Sequence, residues 1–361
     1  MITYYRSNHG ALETIDKPEP GCWINVYEPT EKELGWLSQS LDISPNFLSK
    51  AFDEEESAHA DVDPDNDQVL VIVDCPYVVS EDCQHGKKIT QYDTLPISFI
   101  FIPKEKYLLT LSLHHNEYLD EFAKKKGSTI DTAHPQQFLL KTLLFICEVY
   151  LHSLRVINRQ IHEYEKLLRK RINDSDLLVM LDFEKSLIYF TTSLQGLRAT
   201  VSHVEFKETV HITSDEDELL DNVKIEIAQA SEMCNIYTDI LEGITDAFSN
   251  VLNNNLNTTM RILTGITIIL AMPTIIFSFY GMNVAGLPLA ELWWYPVLMA
   301  VILCVIVFLV LKYTRILKQH REPWRVFFAR SLLYPRVLLK KGYFDSTMGI
   351  GVLSSSSRLP S

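Results

Sequence analysis

A row of small and polar side chains in the last third of the chain has the residue types needed to line a path for a hydrated cation. The row recurs at alternating steps of four and three residues, which keeps it on one side of an α-helix. It consists of Asp246, Asn250, Asn253, Asn257, Met260, Thr264, Thr267, Ala271 and Thr274. The same spacing is typical of a coiled-coil seam, but seams are normally built from Leu, Ile or Val. Because a water-filled lumen needs polar groups, the pattern favours a pore.

The segment Gly281-Met282-Asn283 is a second candidate. A strongly hydrated divalent cation loses its water reluctantly, and neutral amide oxygens can accept hydrogen bonds from the ion's own water shell. Glycine allows a close turn there and presents its carbonyl group. Gly and Asn are also the usual residues at the C-terminal end of a helix, and the residues alone favour that cap. The two roles are compatible.

Two apolar stretches, residues 262–280 and 292–311, must position these groups. No charged residue lies between Arg261 and Glu291. As a helix, either stretch spans a bilayer core of roughly 30 Å, so the pair predicts a membrane hairpin. The connection, residues 281–291, then lies on the far side of the membrane. There Glu291 either gathers cations or is an ordinary solvated loop residue.

Charge is distributed unevenly along the chain, whose net charge is −13. Residues 1–259 hold 43 acidic and 22 basic side chains, whereas residues 312–361 hold ten basic and two acidic ones. Basic residues beside a membrane helix mark its cytoplasmic side. No signal-peptide pattern opens the sequence. We therefore expect a multi-pass protein of the cytoplasmic membrane, embedded in the lipid bilayer, with both termini in the cytosol.

Residues 1–135 have the pattern of a cytosolic α/β domain. A strand is predicted at 23–27, and Thr30 with Glu33 forms a capping box that begins a helix. A second helix is predicted from Ser44-Pro45 to residue 52. Further strands are predicted at 69–73, 97–102 and 107–111.

The helical period begins after residue 135. Residues 136–204 predict an antiparallel pair of long helices joined by a turn at 173–176. A stalk helix is predicted from 215 to 280, continuing into the first membrane span. Residues 312–361 form a basic cytosolic tail whose end has a disordered composition. The predicted fold class is an α/β cytosolic domain, a long α-helical stalk and two C-terminal transmembrane helices.

Several classes of function are disfavoured. The acidic composition is unlike that of a nucleic-acid-binding protein, and no GxxxxGK[ST] nucleotide loop occurs. No nucleophile, base and orienting group converge in the sequence, so we do not expect an enzyme. Since two membrane helices cannot enclose a polar path, an ion pathway requires a homo-oligomer.

The chain resembles the CorA family of magnesium transporters. The resemblance rests on the Gly-Met-Asn triplet at 281–283, which ends the first of two C-terminal membrane helices after Pro273 and Tyr280. It covers residues 1 to about 312 and implies a homopentameric funnel in a bacterial inner membrane. The driving force for such transport needs no nucleotide.

The resemblance also implies roles along the pore. Asp246 and Asn257 match positions that face the pore in the family, and Met260 and Leu263 fall at its narrow apolar constriction, a candidate gate that closes by dewetting. Asn283 then forms a ring that selects hydrated Mg²⁺.

In the family, Mg²⁺ bound between cytosolic domains holds the pore shut. The candidate ligands here are Asp53 and Glu54, facing Glu218 or Asp221 on the stalk. Where the family has an acidic pair at the end of the domain's second helix, this chain has Ser49-Lys50. The difference implies a sensing site that has moved or weakened.

These observations predict a magnesium channel driven by the membrane potential, with Mg²⁺ both transported and regulatory. One alternative is the same fold carrying Co²⁺, Ni²⁺ or Zn²⁺. Met282 favours magnesium, because zinc transporters of the superfamily tend to replace that Met. The alternative of another class is a non-conducting, membrane-anchored coiled-coil scaffold or sensor, which would tolerate Leu at 257 and 283.

Overall fold

A computed structural model describes residues 1–8, 11–84, 87–104, 106–124, 130–168, 174–202, 204–282 and 292–313. The chain divides into two compact units, Met1–Phe248 and Ser249–Ser361. The strands are β1 (Ile2–Asn8), β2 (Ala11–Ile15), β3 (Trp23–Tyr27), β4 (His59–Asp63), β5 (Gln68–Gln84), β6 (Lys87–Ile102) and β7 (Tyr107–Ser112). The α-helices are α1 (Glu31–Ser40), α2 (Pro45–Ala51), α3 (Glu117–Lys124), α4 (Pro135–Leu168), α5 (Asp174–Ser202), α6 (Val204–Val210), α7 (Asp217–Tyr280) and α8 (Trp294–Tyr313).

The first unit is built on a mixed sheet of seven strands in the order β2-β1-β3-β7-β6-β5-β4. Strands β3 and β7 pair in parallel at the centre, and the other neighbours are antiparallel. Successive residues of a strand face opposite sides, so Val71 and Ile72 of β5 lie in different core clusters. Helices α1 and α2 cover one face through Leu37 and Phe47. Helices α3, α4, α5 and the first part of α7 contribute to the core on the other face.

A buried hydrogen-bond chain joins the two central strands. The indole N–H of Trp23 donates to the hydroxyl oxygen of Thr110 at 2.9 Å, and that hydroxyl donates to the side-chain oxygen of Asn25 at 2.8 Å. All three side chains are at most 3% exposed. Buried polar groups are costly unless they are paired, so this chain fixes the register of β3 against β7.

The first part of α7 has an apolar seam. Its fully buried positions recur at steps of three and four residues, and later ones continue the same face. They are Leu220, Val223, Ile227, Ala230, Cys234, Leu241 and Phe248. On this face the thiol of Cys234 lies 3.2 Å from the hydroxyl oxygen of Thr191 on α5. The stalk therefore packs against helices of its own chain through an ordinary apolar seam.

The predicted fold class is confirmed: an α/β N-terminal region, long helices and two C-terminal apolar helices. The Thr30–Glu33 capping box is present as predicted, and the strand predicted at 107–111 is β7. The predicted domain boundaries at 135, 204, 215, 280, 291 and 311 stay predictions.

The strands predicted at 69–73 and 97–102 are present but are longer than predicted, since the first is the start of β5 and the second is the end of β6. Helix α3 was missed. The turn predicted at 173–176 instead contains the start of α5, because α5 begins at Asp174 and acidic residues suit a helix N-terminus as well as a turn.

Candidate ion pathway

Helix α7 beyond residue 261 and helix α8 have the length and composition of membrane spans. Only 6% of the most apolar 18-residue window of the first helix and 11% of that of the second are buried. A core helix of a soluble protein of this length would be mostly covered by its own chain. The exposed apolar surface, which includes Leu270, Phe277 and Val301, instead matches a hydrocarbon environment.

The two spans pack through one row of α7. Gly265 is buried, and Ile269, Met272 and Ile276 are half-buried at steps of four, three and four residues. The thiol of Cys304 on α8 lies 3.6 Å from the carbonyl oxygen of Ile269. This contact fixes which side of α7 faces α8.

The predicted polar row lies on the other side of α7. All nine of its residues are exposed. Thr267 and Ala271 each lie two residues from Ile269, so they point roughly 200° around the helix from it. Asp246 and Asn250 stand in the same relation to Phe248 of the apolar seam. The polar row is therefore separate both from the apolar seam and from the contact with α8.

The threonines of this row present hydrogen-bond acceptors outward. The hydroxyl of Thr267 donates to the carbonyl of Leu263 at 2.9 Å, and that of Thr274 donates to the carbonyl of Leu270 at 3.3 Å. A hydroxyl oxygen whose proton is used in this way keeps its lone pairs free for another donor. The water molecules around a cation donate hydrogen bonds, and such hydroxyl oxygens can accept them.

Two large apolar side chains interrupt the polar surface near the start of the membrane segment. Met260 and Leu263 are 54% and 56% exposed, respectively. Their prediction as a constriction depends on neighbouring copies of the chain and stays a prediction.

The triplet at 281–283 lies only partly within the described residues. The backbone N–H of Gly281 donates to the carbonyl of Phe277 at 2.9 Å, and that of Met282 donates to the carbonyl of Phe279 at 3.4 Å. Among the described glycines only Gly21 has a positive φ, so Gly281 does not form a left-handed cap. A Cβ at Gly281 would instead lie 3.1 Å from the carbonyl oxygen of Phe277, which is tight.

The end of α7 and the start of α8 meet through aromatic rings. Tyr280 and Tyr295 have ring centroids 6.2 Å apart in an edge-to-face arrangement. Asn283 and Glu291 lie outside the described residues, and their predicted roles stay predictions.

The predicted regulatory residues have other neighbours within one chain. Glu54 lies 3.2 Å from the imidazole of His114, and Asp221 lies 3.5 Å from the ammonium group of Lys224. Asp53 accepts a hydrogen bond from the backbone N–H of Glu55. Among the described residues, no group of three or more His, Cys, Asp or Glu side chains is placed to hold a metal. A site formed by Asp53, Glu54, Glu218 and Asp221 would therefore have to be shared between copies.

The residue that departs from the family pattern, Lys50, is paired. Its ammonium group lies 2.7 Å from the carboxylate of Asp61 and 3.4 Å from the imidazole of His59. The hydrogen bond from Lys50 lowers the pKa of Asp61 below its ordinary value. The positive charge of Lys50 is thus paired with a carboxylate of its own domain.

The sequence analysis missed the role of Cys304. Proline has no N–H, so Pro273 leaves the carbonyl of Ile269, four residues earlier, without its helical donor. That carbonyl is the one that Cys304 contacts. The signal in the sequence was Pro273, which shows that the carbonyl of residue 269 needs another donor but not which residue of the second span supplies it.

Comparison with known proteins agrees with this architecture. The family model described as "CorA-like Mg2+ transporter protein" matches residues 19–316. The chain belongs to this family. It is thus a member of a family of metal-ion transporters, which confirms the prediction that it is not an enzyme.

A curated relative is the "Cobalt/magnesium transport protein CorA" of Methanocaldococcus jannaschii. It is 27% identical over 299 residues, which cover 80% of this chain and 89% of that protein. The complete structure of the CorA magnesium transporter from Methanocaldococcus jannaschii has a TM-score of 0.69 at 24% identity and covers 87% of this chain and 96% of that one. The full-length CmaX protein has a TM-score of 0.62 at 14% identity and covers 87% and 97% of the two chains. These two structural likenesses concern the fold alone.

Proposed function

We propose that this protein is a channel-like Mg²⁺ transporter of the cytoplasmic membrane, assembled as a homopentamer around α7. The proposal is supported chiefly by the exposed polar row on the side of α7 away from α8. One chain has two spans and cannot surround an ion. Several copies whose polar rows face a common axis can.

The chemistry of the row suits an ion that keeps its water. Amide oxygens at Asn250, Asn253 and Asn257 and the hydroxyl oxygens of the threonines accept hydrogen bonds but carry no charge. Mg²⁺ dehydrates slowly, so neutral acceptors along most of the row hold the ion less tightly than carboxylates at those positions would, and Asp246 is the one carboxylate of the row. Asn283, at the far end of the first span, is proposed to form the selective ring on the same principle.

Entry needs no nucleotide. A divalent ion moving inward gains about 4.6 kcal/mol per 100 mV of inside-negative potential, twice the value for one charge. The large N-terminal region and both termini are proposed to lie in the cytosol, the side toward which the ion moves.

Closure by cytosolic Mg²⁺ is also proposed. It rests on the acidic segment at Asp53 and Glu54 and on the stalk residues Glu218 and Asp221, which would have to meet across copies. A ligand shifts such an equilibrium only by binding the closed state better than the open one.

Transport of Co²⁺ is the second candidate, because the curated relative is named for cobalt as well as magnesium. The two ions share a charge, so the neutral acceptors of the polar row do not by themselves separate them. Competition by Co²⁺ during Mg²⁺ entry would measure the preference.

The test is Mg²⁺ entry into liposomes that contain the purified full chain, an internal Mg²⁺ dye and an imposed inside-negative potential. Wild type is compared with Asn283→Ala and Asn257→Leu. Entry in the wild type that is lost in both variants supports an ion path along these positions.

Asn255→Leu is the matched control. Asn255 is also an exposed asparagine of α7, but it lies two residues from Asn257 and so roughly 200° around the helix. The Asn255→Leu protein should conduct Mg²⁺ like the wild type. No entry in any protein that is inserted and oligomeric would refute Mg²⁺ transport, and equal entry in all four would refute the assigned path.

A further inference from the structure

The helical hydrogen bond that is missing at Pro273 in the first membrane span points to a role for Cys304 that the family assignment does not supply. Helix α7 runs through Pro273 without ending. The proline removes the N–H that would bond to the carbonyl of Ile269. That carbonyl lies within the apolar segment of the helix, where water is not available and an unpaired peptide group costs several kcal/mol.

The missing donor comes from the other span. The Sγ atom of Cys304 lies 3.6 Å from the carbonyl oxygen of Ile269, within the reach of a thiol hydrogen bond. Cys304 is half-buried on the side of α8 that also carries buried Ala300 and Leu311. It thus lies on the packed face of α8, where it can act as a donor.

The contact also fixes the rotation of α7. Ile269 belongs to the row that faces α8, and Thr267 and Ala271 lie two residues to either side of it. If the row of Ile269 is held against α8, the polar row is held away from it. Pro273 and Thr274 are neighbours, so the loosened turn is also the turn that carries a pore-facing hydroxyl.

We propose that Cys304 is a positioning residue of the ion pathway. Its thiol donates to the Ile269 carbonyl that Pro273 leaves unpaired, and so it locks the pore helix in the rotation that presents Thr267 and Thr274 to the ion. The consequence for transport rests on the proposed function above. The hydrogen bond itself does not.

The first test is spectroscopic and independent of transport. The S–H stretching band of Cys304 is the band lost in the infrared difference between wild type and Cys304→Ala, both as full chains in lipid. A hydrogen bond to a peptide carbonyl should shift it to lower frequency than that of a simple alkyl thiol in an apolar solvent. A band at the unshifted frequency would overturn the proposal even if the protein conducts.

The second test uses transport in a double-mutant cycle. Cys304→Ala should lower Mg²⁺ entry severalfold, whereas Cys304→Ser, which keeps a donor, should retain most of it. Pro273→Ala restores the helical N–H, so adding Cys304→Ala to it should cause no further loss. An equal loss from Cys304→Ala in both backgrounds, or the same loss from Ser as from Ala, would overturn the positioning role.

The two tests separate the proposals. A shifted thiol band in a protein that conducts no ion would leave the hydrogen bond standing and refute the proposed function. An unshifted band in a conducting protein would refute the hydrogen bond and leave the proposed function standing.

Discussion

Replacing Thr267 with Val is the most direct perturbation of the proposed ion path. The two side chains have nearly the same shape, but Val lacks the hydroxyl oxygen that faces outward from α7. In the folded helix this hydroxyl donates to a carbonyl that already belongs to the helical ladder, so its removal leaves no buried donor unpaired. We therefore expect little change in stability and a clear change in ion entry.

The size of the effect follows from one hydrogen bond. A neutral hydrogen bond is worth about 0.5–1.5 kcal/mol net. If a single bond to the ion's water shell is lost at the rate-limiting position, the entry rate falls roughly 2- to 13-fold, since about 1.4 kcal/mol corresponds to a factor of ten. Every copy in the ring loses the same hydroxyl, so this range is a lower bound.

The assay is the initial rate of dye-reported Mg²⁺ entry into liposomes, normalised to inserted protein. Thr258→Val is the matched control, because the hydroxyl of Thr258 makes the same intrahelical bond, to the carbonyl of Asn254 at 2.8 Å. Thr258 lies nine residues from Thr267 and so roughly 180° around α7 from it. Equal rates for the two variants would refute the assignment of the pore-facing side.

Three further outcomes are expected in the N-terminal unit. Thr110→Val should lower the free energy of unfolding by about 2–6 kcal/mol, because it leaves two buried polar groups without a partner at about 1–3 kcal/mol each. In denaturation of the full-length protein in detergent, Thr110→Ser should lower the free energy of unfolding by clearly less. Equal losses in the two variants would contradict the buried hydrogen-bond chain. The ionised Asp61 carboxylate should stabilise the fold at pH values above its ordinary pKa of 3.8. This contribution should be lost as the pH falls through the lower pKa that Asp61 has in the folded protein. Asp61→Asn and Lys50→Met should therefore both flatten the pH dependence of stability below about pH 4, and unchanged profiles would refute the ion pair. Burial raises the pKa of Cys75 and of Cys147 to about 12. At pH 8, mass spectrometry should therefore find both thiols unlabelled by maleimide until the protein is unfolded. Rapid labelling of the native protein would contradict their burial.

Local rules predicted those parts of the fold whose causes are local. The capping box needs only Thr30 and Glu33 at the right spacing, and the membrane spans need only length and composition. The polar row of α7 was likewise visible from periodicity, since a helix places steps of three and four on one side whatever it packs against.

Other features depend on partners distant in sequence. Strand β5 contains Asp74 and Pro76 beyond the predicted strand, and these residues weaken any strand pattern. This part is extended because β6 pairs with it. The thiol contact of Cys304 could not be predicted from either span alone. It requires knowing which turn of α8 faces the carbonyl freed by Pro273.

The strand order has a consequence for how the protein is made. The core on one face of the sheet takes residues from Trp23 to Phe248, and β3 cannot complete its pairing until β7 has been synthesised. At about 5–20 residues per second, roughly 10–45 s separate the synthesis of the two ends of that core. During this time the nascent chain exposes strand edges and apolar faces that have no partner. The next stretch to leave the ribosome is the first apolar span, so closure of the N-terminal core and delivery to the membrane coincide.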